Sequence, residues 1–344
     1  MIGRTAARLV DIHIEIQPSS WRVTRRPGMD AQRANDFWAW DLDALQVAAD
    51  GYAGPLKIQL VGPWTLAASL ELVNGHRFLT DEGALRDLQE SLGEGAAQLL
   101  HEIKRRVPGA QPILQLDEPS LPAVLGGSVP TASGFGRISA VGSHEAGLGL
   151  ERVIRAVAAA SDGADLPRPD ATIGTPAPSG ADRLSADPGR VAAATDGADR
   201  LSADSRRVVA AVSGAVVPVI VHCCAPKAPV GLLRQAGAAA AMLDVSLLTE
   251  REYDDLGSAV DEGLGLFLGV IPSRRAVRRG DVDAAAARVR EIASAVGIPF
   301  AELTSRIGLT TACGLAGVTW GQAVAATRAV VTASRQIADN PTPE

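Results

Sequence analysis

The sharpest chemistry in this chain sits where apolar runs end. VIVHCC (219–224) carries an apolar run straight into His222, Cys223 and Cys224. At the end of a β-strand, residues i and i+2 point to the same side. His222 and Cys224 can therefore face one point while Cys223 turns into packing. His-x-Cys suits two ligands to one borderline-soft ion such as zinc. The same residues also fit a core in which the cysteines are small buried hydrophobes and His222 is a satisfied histidine. Cys313 follows another apolar run in IGLTTACGL (307–315), and Asp244 closes AMLD (241–244). Asp117 and Glu118 follow PILQL in LDEPS (116–120), where Pro119 cannot donate a ladder hydrogen bond and so ends the run. Asp117 reads either as a ligand-binding carboxylate or as part of a helix-capping acidic turn.

These residues converge only if the runs are parallel strands. Six strand candidates are visible: Lys57–Val61, Pro112–Leu116, Val217–Val221, Ala240–Leu243, Gly265–Ile271 and Arg306–Leu309. They are mostly apolar on both faces, as strands covered by helices are. Amphipathic helical patterns separate them at Leu85–Val107, Val230–Ala236 and Val282–Val296. With no antiparallel hairpin signal, the alternation predicts a parallel α/β fold. In a closed parallel barrel all strand C-termini meet on one face, where His222, Cys224, Asp244 and Cys313 would gather. Eight strands are needed; Asp11–Ile16 supplies one further candidate, and no convincing first strand precedes it. The expectation is a single barrel domain over 1–344, carrying a low-complexity insertion at 161–206. The octamer GADRLSAD occurs there at 180–187 and again at 197–204, beside the related decamers at 156–165, 190–199 and 207–216.

Composition narrows the class. The 344 residues are 47% hydrophobic and 21% charged, enough for a large core and too little charge for a disordered chain. With 33 basic against 39 acidic side chains the net charge is −6, which argues against a nucleic-acid partner. Only Lys57, Lys104 and Lys227 are lysines. Three cysteines make no disulfide framework and point to a reducing compartment. The first 17 residues meet Asp11 and Glu15 before any long apolar run, unlike a signal peptide. The greasiest stretch, Val208–Val221, is too short to span a bilayer. The expectation is a cytoplasmic protein with no membrane partner.

In that order, LDEPSL (116–121), VHCC (221–224) and ACGL (312–315) resemble the C-terminal catalytic barrel of cobalamin-independent methionine synthase, in a short single-barrel form. VGPWTL (61–66) is similar to that family's Gly-Pro-x-Thr segment. The resemblance spans roughly 57–335, without the repeats. It implies a TIM-like (β/α)8 barrel of the methionine synthase and uroporphyrinogen decarboxylase type, and methyl transfer to the thiol of homocysteine at zinc to form methionine. It makes His222, Cys224 and Cys313 zinc ligands, puts Asp244 where the family has a ligating Glu, and gives Asp117 the substrate's amino group. Such a site prepares a nucleophile, because zinc deprotonates a bound thiol whose free pKa is near ~8.5.

The chain departs from the family in three places. The family's first strand carries an Ile-Gly-Ser segment for the substrate carboxylate. This sequence opens at MIGRTAARLV, which reads as a later helix, so the barrel is expected to lack its first strand or strands, with a start assigned too late as the explanation. The ring on which the family stacks folate is replaced by Ser69, and GVIPS (269–273) lacks the family's proton-donating His. The resemblance therefore implies a methyl-corrinoid protein as donor ahead of methyltetrahydrofolate. Other readings are a corrinoid-dependent methyltransferase for simple methylated compounds, a decarboxylase of the same superfamily, and a degenerate non-catalytic barrel.

Overall fold

A computed structural model describes residues 1–18, 20–161 and 217–339. Apart from its first position, the repeat insertion expected at 161–206 lies outside the described residues. The chain opens with helix α1 (Ile2–Ala6), strands β1 (His13–Gln17) and β2 (Ser20–Thr24), and helix α2 (Met29–Ala48). Strand β3 (Gly54–Val61), helix α3 (Pro63–Ser69), the short strand β4 (Leu70–Glu71) and the long helix α4 (Glu82–Arg106) follow. Next come β5 (Ala110–Asp117), α5 (Leu121–Leu125) and α6 (Ser143–Ser161). The second half alternates β6 (Val219–Cys223), α7 (Val230–Gln235), β7 (Ala240–Asp244), α8 (Tyr253–Asp261), β8 (Gly265–Ile271), α9 (Asp281–Val296), α10 (Phe300–Arg306), β9 (Ile307–Thr311) and α11 (Trp320–Asp339).

The six strand candidates all form, within three residues of the expected bounds. They make one parallel sheet in the order β3-β5-β6-β7-β8-β9. Each joins its predecessor's flank, as crossover connections demand. All five residues of β6 are buried, so its apolar run is covered on both faces. Among the described residues the sheet does not close: β3 and β9 each have one strand partner. The expected eight-stranded barrel is thus an open arc of six parallel strands with helices.

The N-terminal expectation needs a correction. Residues 13–17 do form a strand, but it pairs antiparallel with β2, Ile14 opposite Val23, and β2 pairs with β4 in a separate three-stranded sheet. A hairpin therefore exists where none was expected. β2 is half-buried along its whole length and shows no sharp inside–outside alternation to betray it. The helix expected at the start is α1. The Thr5 hydroxyl of that helix accepts a hydrogen bond from the Val61 amide (2.9 Å) at the border of β3.

Helix α4 shows how the arc is backed. Asp81 caps its first turn by accepting from the Ala84 amide (2.9 Å), and Lys104, Arg105 and Arg106 face the negative end of its dipole. Its buried face, including Leu88, Leu92, Leu99 and Ile103, joins Leu150 and Val153 of α6 in the main core. No helix among the described residues is long and apolar enough to cross a membrane.

Candidate metal centre

Strand register does most of the positioning. Val61 of β3, Asp117 of β5 and His222 of β6 stand side by side in one row across the sheet. Cys224 lies just past the end of β6, and Cys313 two residues past the end of β9. The Cys313 loop is held by two hydrogen bonds: the Ala312 amide donates to the Ile271 carbonyl (2.8 Å), and the Thr311 hydroxyl donates to the Cys313 carbonyl (2.8 Å). Gly269 on β8 lets this loop come close. A Cβ there would stand 2.7 Å from the Leu243 carbonyl oxygen and 2.8 Å from the Ala312 Cα, both backbone atoms. The ladder between β8 and β9 is also irregular between Gly269 and Ile271, which bends the strand end.

The result is a compact group. One ring nitrogen of His222 and the sulfurs of Cys224 and Cys313 all lie within 4.8 Å of one another. The two sulfurs are 3.7 Å apart. Two sulfurs bound to a tetrahedral zinc ion at ~2.3 Å would sit about 3.8 Å apart. His222 is buried, and among the described residues its Nδ1 has no hydrogen-bond partner. Cys223 is buried apart from this group, as the alternation along β6 requires.

Electrostatics point the same way. Burial, and then the neighbouring Cys313, push the Cys224 thiol up to about 11. Burial lowers the His222 imidazole from 6.5, against the opposing pull of Asp117. Without a cation, Cys224 keeps its thiol proton at neutral pH and burial disfavours the protonated His222 ring. A divalent ion inverts that logic by displacing the thiol protons and using the free imidazole lone pair. A buried imidazole nitrogen beside two thiols at tetrahedral spacing fits a zinc ion.

Asp244 stands outside this group. Its Oδ1 accepts from the Ser246 amide (3.0 Å) and hydroxyl (2.6 Å), capping the turn Val245–Leu247. Its charge still reaches His222 and favours the protonated ring. Asp117 is buried beside His222 and accepts from Gln115 Nε2 (2.6 Å). Burial raises the pKa of Asp117, while the Gln115 hydrogen bond, His222 and Lys57 pull it back.

Glu118 has a role that sequence reasoning missed. It is fully buried; Oε1 accepts from the Trp64 amide (2.8 Å), and Oε2 accepts from the Thr65 amide (2.8 Å) and hydroxyl (2.7 Å). Thr65 Oγ1 in turn accepts from the Ser120 amide (3.1 Å). The Asp-Glu-Pro and Gly-Pro-x-Thr segments are thus two halves of one clasp. Gly62 is required there, since a Cβ would lie 2.4 Å from Glu118 Oε1. The signal was available: both motifs follow strands that the register makes neighbours. Trp64 is buried with its Nε1 donating to the Ala146 carbonyl (2.9 Å), so the one indole of this segment packs inward.

No protein-family model matches the chain, and no curated protein matches it. Among solved structures it is similar to a B12-independent methionine synthase from Shewanella sp. W3-18-1, determined in complex with selenomethionine. Identity is 12% and the TM-score 0.50, covering 93% of this chain and 71% of that one. The likeness shows an α/β arrangement consistent with part of a TIM-like barrel.

Proposed function

We propose that the chain is a zinc-dependent methyltransferase that moves a methyl group to the thiol of homocysteine. The observation that carries this reading is the His222–Cys224–Cys313 group, one nitrogen and two sulfurs spaced for a single ion. Zinc held by those three residues supplies the positive charge that keeps a bound substrate thiol deprotonated at neutral pH. The chain's own residues do the rest. Asp117, next to His222 in the sheet, receives the substrate ammonium and fixes where its sulfur lies, which is the orienting part of catalysis. The Glu118 clasp holds β3 and β5 together at that row. Asp244 is the remaining carboxylate of the ligand set; Ser246 holds its Oδ1, which leaves Oδ2 as the oxygen to offer the ion.

A methyl-corrinoid is the favoured donor. The Ser69 hydroxyl donates to the Thr65 carbonyl (2.6 Å) and Trp64 is buried, so neither offers a ring for stacking a pterin. The open arc favours one second reading, a barrel that binds metal without catalysis.

Metal analysis and a donor assay on the purified full chain test these readings. About one zinc per chain, with homocysteine methylation from methylcobalamin exceeding that from methyltetrahydrofolate, is the expected result. Zinc without methyl transfer from either donor selects the non-catalytic barrel, and absence of zinc binding overturns the site.

A further inference from the structure

Below the metal group, the sheet carries a second polar constellation. Gln59 pairs with Gln115 in register, so Lys57, Gln115 and Asp117 lie on one face of β3 and β5. Lys57 Nζ donates to Gln115 Oε1 (2.7 Å), and Gln115 Nε2 donates to Asp117 Oδ1 (2.6 Å). The Lys57 charge acts on both Asp117 and His222. Gln115 and Asp117 are buried, whereas Lys57 is open to solvent.

We propose that Lys57 receives the α-carboxylate of the substrate amino acid, so that Lys57 and Asp117 together clasp a zwitterionic head group. This rests on the homocysteine reading above. The Gln115 amide already joins the two charges in one sense: its oxygen accepts from the ammonium and its nitrogen donates to the carboxylate. An amino-acid head group presents the same pair with the same polarity, an acceptor for Lys57 and a donor for Asp117. Lys57 spends one of its three N–H donors on Gln115, leaving two for an incoming carboxylate. Asp117 stands beside His222, so the head group is anchored next to the metal group that would take the substrate's sulfur. A residue serving only to balance Asp117 needs no exposure; Lys57 keeps its side of the pair accessible.

The test is calorimetric titration of the zinc-loaded full chain with L-homocysteine and with 3-mercaptopropan-1-amine, which has the same thiol and amine but no carboxylate. The wild-type protein is expected to prefer homocysteine by about tenfold or more, the size of a charge-assisted hydrogen bond. Lys57→Met should abolish that preference, leave binding of the carboxylate-free thiol within about twofold, and leave zinc content unchanged. Lys57→Arg should restore part of it. Equal losses for both thiols in Lys57→Met would assign Lys57 to propping Asp117 and overturn the proposal, as would a preference that survives the substitution. If Lys57→Met fails to fold, Lys57→Gln is read by the same criteria. A wild-type protein that takes both thiols equally overturns the carboxylate site alone, while one that takes neither removes the homocysteine reading as well.

Discussion

Two neighbouring regions at the ends of the same strands are finished to different degrees. Around Glu118 every acceptor is met: two backbone amides and a hydroxyl close on its carboxylate. Around His222 a buried nitrogen has no partner among the described residues, and two thiols face each other at 3.7 Å. Buried polar groups are rarely left in that state. The difference separates a carboxylate that holds the fold from a group that needs something further. Both come from short motifs after strands, and only the hydrogen-bond accounting tells them apart.

The strongest way to break this contrast is to remove a sulfur. Cys313→Ser should lower zinc affinity by on the order of 100-fold, since each ligand carries roughly a quarter of the binding free energy of a four-ligand site. Competition with a chelator reads it, and an unchanged affinity would return Cys313 to ordinary packing. Stability to urea should change much less in that variant than zinc retention.

The Glu118 clasp should behave in the opposite way. In Glu118→Gln the amide puts a donor against the Trp64 or Thr65 donors, so unfolding should become easier by about 1–3 kcal/mol with zinc stoichiometry intact. Zinc lost together with stability would mean that the two regions are not independent.

The clasp also has a pH signature. Burial outweighs its three hydrogen bonds and raises Glu118 from 4.5 to about 7. A folded-state pKa above the unfolded one means that this group's contribution is fully present below pH 4.5 and is lost as pH rises through 7. Urea midpoints at fixed steps across that window should show the decline in the wild-type protein and a flatter profile in Glu118→Gln.

Asp244→Asn should give the smallest change. With its oxygen committed to Ser246, zinc affinity is expected to fall by less than about tenfold, and stability by about 1 kcal/mol or less, the size of a lost cap. A loss as large as that of Cys313→Ser would make Asp244 a full ligand.

Much of this was legible because it depends on local pattern. Six apolar runs, four of them ending in His222, Asp244, Asp117 or the Cys313 loop, are sufficient to predict parallel strands and to place those residues at one end. Alternation along β6 correctly separates Cys223 from its neighbours. Legibility fails where the deciding partner is remote. Glu118 is defined by Trp64 and Thr65 on another strand's turn, and β2 by antiparallel pairing with β1 and parallel pairing with the distant β4. Closure of the sheet is a global property, and strand-by-strand reading stops short of it.

Gly269 carries the last consequence. The loop bearing Cys313 rests against main-chain hydrogen at a spot where even a methyl group would collide with peptide atoms on both sides. The gauge between the sulfurs is therefore set partly by a position with no side chain to offer. A survey that scored only imidazoles and thiols would overlook the spacer that makes their geometry possible.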